Sequence, residues 1–381
     1  MRRTIYDLDH ELFRESVKSF LDREVRPGLE SFVDQRGISS EVWAAAGAQG
    51  LLGLEVPQSH TGSDAKDYRF NAVLMEELAK INLALASSIS IHYDVVAPYL
   101  VRLTTNEQKD RWLPRVVAGE LVTAIGMTEP AAGSDLGALR TRAERIPGGW
   151  VLNGSKTFIT NGYSAGLIVV AARTTPGLRS RGITLFAVEA DMQGFSRGRK
   201  LDKVGQPEAD TAELFFDDMS VPDSHVIGTV DHGFAHMMEH LPQERIGSAV
   251  ANLAHGRQIL DETITYCQQR RAFGQPIGQF QHNKFLLADL VTRAEVTQAY
   301  IDQCVVAHLR GELTAVDAAK AKWWSADVQN KIMDDCVQLH GGYGFMNEYR
   351  VARAWKDARV SKIWAGSNEI MKELIGRDLG F

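Results

Sequence analysis

Between residues 8 and 117, apolar side chains recur three and four positions apart, as in Leu12, Val17, Phe20 and Leu21 and again in Val73, Leu74 and Leu78. That spacing sets them on one stripe of an α-helix, and Pro27, Pro57 and Gly62 punctuate the helices. From about 121 the period shortens to β-branched or alternating runs at 149–153, 167–171, 183–188 and 212–216, separated by glycine and proline turns. Such runs predict strands. After about 233 helical spacing returns in long stretches over 249–266, 285–309 and 315–339. The pattern predicts an α+β chain with an all-α unit over 1–121, a middle β-barrel or sandwich over 122–232 and a helical bundle over 233–381.

Composition narrows the function more than the fold. The formal net charge of -6 leaves no overall basic field for nucleic acid or an anionic membrane, so an anionic ligand must be held by local groups. Cys267, Cys304 and Cys336 lie far apart with no C-x-x-C pair, which argues against a disulfide framework or a cysteine zinc site and suits a reducing, cytoplasmic interior. No stretch has the apolar length of a membrane span, and the first residues lack the apolar segment of a signal peptide.

Three short patterns suggest chemistry and fail on context. Gly162-Tyr-Ser-Ala-Gly166 matches a hydrolase elbow with Ser164 as nucleophile, but a strand-like run follows where a helix is required. His236 and His240 stand four apart with Glu239 between them, as in an inverted zinc-hydrolase motif, yet no third ligand is evident and no metal is expected. His340-Gly-Gly-Tyr-Gly-Phe follows a helical stretch instead of a strand, so it is no dinucleotide fingerprint.

Three other segments resemble, in order and spacing, the acyl-CoA dehydrogenase family, closest to its long-chain branch. They are Gly126-Met-Thr-Glu-Pro-Ala-Ala-Gly-Ser-Asp135 with Phe158-Ile-Thr-Asn-Gly162; Gln269-Arg-Arg-Ala-Phe-Gly274 with Gln281; and Gln338-Leu-His-Gly-Gly-Tyr-Gly344 with Ile363-Trp-Ala-Gly-Ser-Asn-Glu-Ile370. A flavin needs an aromatic wall, donors around its polar edge and glycines where the backbone nears the pyrophosphate, and these segments hold all three. The resemblance implies a C-terminal four-helix bundle and FAD as cofactor. It assigns Ile125, Met127, Thr128, Gly133, Ser134, Phe158, Ile159 and Thr160 to one side of the flavin, and Ser367 and Glu369 to the local site. Arg270, Phe273, Gln281, Gln338, Gly341 and Gly342 are implied to hold the remote half of a FAD bound by a neighbouring subunit. That sharing implies a homotetramer built as a dimer of dimers.

Removing a proton beside a thioester needs a carboxylate within reach of that carbon. Most members of the family are expected to carry it in the motif matching Ile363-Trp-Ala-Gly, but this chain has Ala365 there. The long-chain and isovaleryl branches resemble each other in placing it on a C-terminal helix, which points to Glu244 in Leu241-Pro-Gln-Glu-Arg245. Read without the family, Pro242 opens a helix and Glu244 complements its dipole from the first turn. Pro242, Gln243, Arg245, Ala365 and Gly366 are implied to line the substrate site with Ser134, the backbone N–H at Ala365 facing the thioester oxygen. Ser180 and Arg181 are candidates for the CoA phosphates, and the stretch from Ser88 to Val96 for the pocket floor. The implied reaction is α,β-dehydrogenation of a medium- to long-chain acyl-CoA, with electrons passed to an electron-transfer flavoprotein. Its rivals are a dehydrogenase linked to acyl carrier protein, an oxidase of the same fold, the zinc hydrolase and a flavin-free scaffold chain.

Overall fold

The computed structural model describes residues 3–381. Seven helices come first: α1 (Leu8–Phe20), α2 (Leu29–Gln35), α3 (Ser40–Ala48), α4 (Arg69–Ile81), α5 (Leu83–Ser90), α6 (Ala97–Leu103) and α7 (Asn106–Val117). Sequence explains their ends. Asp7 caps α1 by accepting from the Asp9 and His10 N–H groups, and Asn82 caps α5 through Ala84 and Leu85. Between α5 and α6, Ile91–Val96 forms a π-helical turn, the widened geometry that proteins reserve mostly for functional stretches.

Strands follow: β1 (Thr123–Gly126), β2 (Arg142–Ile146), β3 (Gly149–Ile159), β4 (Leu167–Arg173), β5 (Ile183–Glu189), β6 (Phe195–Lys200), β7 (Ala212–Pro222) and β8 (Val226–Ile227). They form one eight-stranded sheet in the order β6-β7-β3-β2-β4-β5-β8, with β1 added in parallel to β4. Pairing is otherwise antiparallel except where β2 meets β4. Alternate residues of β4 serve two cores. Leu167, Val169 and Ala171 pack with Trp112, Leu113 and Val116 of α7, while Ile168, Val170 and Ala172 pack with Trp150, Leu152, Leu214 and Phe216. Burial on both faces is why this strand reads as an unbroken apolar run. β2 and β6 escape the sequence pattern because they carry arginine, glutamate and lysine on open faces; β6 is an edge strand, whereas β2 lies between β3 and β4 with one face open.

The remainder is helical: α8 (Gly233–Gln269), a short hairpin of β9 (Arg271–Ala272) and β10 (Gln275–Pro276), α9 (Gln281–Leu309), α10 (Ala315–His340), α11 (Arg350–Ala358) and α12 (Asn368–Asp378). One apolar core joins the two ends of the chain, with Leu74 and Leu78 of α4, Ile246, Val250 and Leu253 of α8 and Ile332 and Met333 of α10 in the same cluster. The sequence reading needs one correction here. Pro242 does not open a helix but sits inside α8, which runs 37 residues, and Glu244 is therefore an interior residue. A proline there removes one backbone bond, a loss that burial of the long helix on α4 and α10 outweighs.

Gly247, one turn beyond Gln243, has no room for a side chain, since an added Cβ would stand 2.5 Å from an Asp94 oxygen. We therefore expect Gly247→Ala to cost about 1–3 kcal/mol in stability. Ser248→Ala beside it should be neutral or stabilising, because the Ser248 hydroxyl is buried without a partner. Thermal melts of the two variants check the pair.

Candidate active site

Successive residues of α8 point about 100° apart, so Gln243, Glu244 and Arg245 face three directions. Gln243 is buried and donates to Glu55 Oε1 (2.9 Å) and Asp94 Oδ1 (3.3 Å). Asn71 also donates to both carboxylates, at 3.0 Å each, and burial pushes Asp94 up to about 7. This network fixes α8 to α4 and the π-helical turn. Glu244 faces Tyr99 of α6, whose hydroxyl donates to Oε1 at 3.2 Å. Tyr99 is itself fully buried and stacked on the His240 ring, with centroids 4.1 Å apart.

Burial pushes Glu244 up to about 7, with the Tyr99 hydrogen bond and the Arg245 charge pulling the other way. The residue keeps some exposed surface while its carboxylate is enclosed by protein. Such a carboxyl is half ionised near neutrality. Arg245 is buried with its Nε unpartnered, and burial holds it below the usual arginine range.

The second part of the site is the turn before α12. Ala365 (φ 51°) and Gly366 (φ 86°) are both left-handed, a conformation that costs an alanine about 1–2 kcal/mol. Ser367 caps α12 through the Ile370 N–H, and Glu369 is exposed in its first turn. The turn is tied to α10 by Lys322, which donates to the Gly366 carbonyl at 2.6 Å. Burial first, then the nearby Arg245 charge, push Lys322 down to about 7. Helices α8 and α10 thus bring Arg245, Lys322 and the 365–368 turn together, with Glu244 next to Arg245 on α8.

The segment from Ile125 to Ser134 leaves β1 and crosses β3, where the Thr157 N–H donates to the Thr128 carbonyl. Beneath it, fully buried Lys156 donates to the Met127 carbonyl (3.2 Å) and pairs with Glu129 (2.8 Å). Glu129 also accepts the Arg140 and Thr141 N–H groups, so one ion pair organises the whole segment. Gly133 and Ser134 lie exposed on its far end. Phe158 has φ 60° and is 69% exposed, which is unusual for a phenylalanine in a strand, while Ile159 is buried and Thr160 half-buried. A strained and exposed aromatic ring is a surface waiting for a partner.

Arg270, Gln338, Gly341 and Gly342 line a separate cavity of about 440 Å³ with Tyr266 and Tyr343. Added Cβ atoms at Gly341 and Gly342 would meet nothing within 4 Å, so the backbone floor is open to a ligand. No residue from 125–160 lines this cavity, and Phe273 and Gln281 lie outside its wall. Phe273, at the tip of the β9–β10 hairpin, is 96% exposed. Ser180 and half the neighbouring loop are partly covered, with Arg181 exposed, beside the Gly137 turn. Another cleft, of about 720 Å³ near Trp324 and Trp355, holds none of the predicted site residues.

Tyr99 and Lys322 were invisible to sequence reading. Tyr99 stands 145 positions from Glu244, and a lysine on a periodic helix normally reads as solvated. The rival motifs lack the context their own chemistry requires, although His240 packs on Tyr99. His240 gives its Nδ1 to the His236 carbonyl, and among the described residues no group of three or more His, Cys, Asp and Glu is arranged for a metal. Ser164 follows a turn into β4, its N–H bound to Asp210.

A buried carboxyl between α6 and α8, beside a glycine-floored cavity with Arg270 in its wall, has the makings of an enzyme site that holds an anionic ligand. Comparison with known proteins makes the class specific. Family models of the acyl-CoA dehydrogenase N-terminal, middle and C-terminal domains match residues 7–120, 124–219 and 231–380. The mitochondrial long-chain specific acyl-CoA dehydrogenase of Rattus norvegicus is 43% identical, over 99% of this chain and 88% of its own. The crystal structure of an acyl-CoA dehydrogenase from Geobacillus kaustophilus superposes with a TM-score of 0.97 at 41% identity, covering 99% of each chain. PigA, solved with FAD and proline, superposes with a TM-score of 0.94 at 27% identity over 100% of this chain and 99% of its own. The chain belongs to the acyl-CoA dehydrogenase family of FAD-dependent oxidoreductases.

The residues present fit FAD. The open floor at Gly341 and Gly342, the Arg270 cation and the Gln338 amide suit an adenine–pyrophosphate half, and the exposed Phe158 ring with the Thr128 and Thr160 hydroxyls suits a flavin edge. Lys156→Met leaves Glu129 charged, buried and unpaired, and should lower stability by about 3–5 kcal/mol. The double change Lys156→Met with Glu129→Gln should recover part of that loss in the same denaturation experiment.

Proposed function

We propose that this enzyme oxidises medium- to long-chain acyl-CoA thioesters to trans-2-enoyl-CoA, with Glu244 as the base. The observation that carries this reading is the Glu244 carboxyl, held near neutrality by burial and bonded to Tyr99, in a chain whose other family position for the base is Ala365. A base with a pKa near the working pH combines adequate ionisation with adequate strength. Bound FAD supplies the acceptor for the hydride that leaves the β-carbon.

The chain supplies the rest. Glu244 takes the α-proton, and the neutral carboxylic acid that results is the form favoured by its apolar surroundings. Tyr99 orients the carboxylate by a single hydrogen bond. Arg245 and the backbone N–H at Ala365 stabilise negative charge on the thioester oxygen as the α-carbon loses its proton. Ser134, Pro242, Gln243 and Gly366 line the substrate path, and Ser180 and Arg181 approach the CoA phosphates. Arg270, Phe273, Gln281, Gln338, Gly341 and Gly342 hold the remote half of a neighbouring subunit's FAD, which makes a homotetramer the working form. The exposed Phe273 ring and the absence of residues 125–160 from the 440 Å³ cavity support that sharing. Electrons pass to an electron-transfer flavoprotein, in the cytoplasm. Likeness to the long-chain specific relative supports the chain-length assignment.

Anaerobic addition of a long-chain acyl-CoA should bleach the flavin absorbance of the parent enzyme, and Glu244→Gln should slow that bleaching about 10²–10⁴-fold while keeping its flavin. Bleaching at the parental rate would remove Glu244 from the mechanism. The pH profile gives an independent check. Only ionised Glu244 accepts a proton, so kcat/KM should rise with pH through about 7. Tyr99→Phe removes a bond that favours the ionised form and should move that midpoint upward.

A further inference from the structure

Lys322 is the most anomalous charge in the molecule outside the ion pairs already described. Its side chain is 0% exposed, midway along α10, and its Nζ contacts are the Gly366 carbonyl at 2.6 Å and Asn368 Oδ1 at 3.5 Å. The nearby carboxylate, Glu369, is exposed in the first turn of α12 and acts only across space. Its other close charge is Arg245, of the same sign. A buried ammonium without an ion-pair partner, next to another buried cation, is unfavourable and is not placed for stability.

What Lys322 does hold is a backbone turn. Ala365 and Gly366 are consecutive left-handed residues, and only one of them is a glycine. An unsupported alanine would relax out of that conformation. The turn is fastened to α10 at the end of the strained pair and two residues beyond it. Lys322 binds the Gly366 carbonyl, and the Asn368 side chain reaches the Trp323 carbonyl and Asp327, both at 3.4 Å. A charge-assisted bond to a carbonyl is shorter and stronger than a neutral one, and 2.6 Å is short for a nitrogen donor.

We propose that Lys322 is a positioning residue that holds the Ala365–Gly366 turn in its left-handed form, and so aims the Ala365 N–H at the substrate thioester oxygen. The inference rests on the reading of that N–H as the oxyanion donor. A donor displaced by a few tenths of an ångström loses much of its effect on the transition state while substrate binding barely changes.

The test uses FAD-loaded Lys322→Met, which preserves the length of the side chain and removes the charge and the donor. Expected are an amide hydrogen exchange at least tenfold faster over 363–368 with exchange over 233–269 unchanged, and a kcat at least tenfold lower at parental KM and flavin content. Lys322→Gln retains a donor and should recover part of both effects; it carries the same test should the methionine variant not fold. Parental exchange over 363–368 in Lys322→Met, or a kcat loss with parental exchange in Lys322→Gln, would overturn the proposal, as would a kcat loss that merely follows flavin loss. Glu244→Gln serves as the control. It should abolish turnover with exchange over 363–368 unchanged, so failure of the base assignment and failure of the turn assignment are read separately.

Discussion

The structure depends on keeping one carboxylate out of water without leaving it unsupported. Glu244 sits inside a 37-residue helix, where neither end of the helix stabilises its charge, and burial raises its pKa to about 7. A carboxyl in that state accepts a proton readily and is neutral once it has done so. The surrounding architecture follows from this requirement. Gln243 pins α8 to the Glu55–Asn71–Asp94 network on one side, Gly247 lets Asp94 approach one turn further on, and Tyr99 supplies the one hydrogen bond that orients the carboxylate.

The same economy recurs around the cofactor segments. Two of the candidate stretches of backbone are held from beneath by a buried lysine: Lys156 under the 127–129 turn, with Glu129 as counter-ion, and Lys322 under the 365–366 turn, without one. The difference is instructive. The first pair is neutral overall and behaves as a structural staple. The second has no ion-pair partner, and in the proposed reaction it would serve a turn that faces the thioester oxygen as that atom gains charge. The Phe158 and Phe273 rings are large apolar surfaces left uncovered by the single chain, as the proposed flavin and subunit contacts would require.

Much of the fold was legible in hydrophobic spacing. The long helices and the apolar runs of β4 and β5 follow directly from period, whereas β2 and β6 were missed because their charged faces hide the alternation. Pro242 misled for a physical reason: local propensity favours it at a helix start, and packing of α8 on two other helices overrides that preference. Candidate site residues were legible where they are neighbours in sequence, as in the segments around Thr128, Gln338 and Ala365. Tyr99 and Lys322 were not, since their roles arise from contacts across 145 and 44 positions that no local pattern encodes. Family resemblance carried the assignment of Glu244, and burial supplies its physical basis.

The most direct test of that basis is exchange at the reacting carbon. The purified enzyme, held anaerobically in deuterium oxide with a saturated long-chain acyl-CoA and no electron acceptor, should wash deuterium into the α-position of the thioester, because a reversible proton transfer returns a solvent-exchanged proton. Glu244→Gln should leave the α-position unlabelled. Labelling by that variant at the parental rate would contradict the account, and the proton would have to be taken by another group.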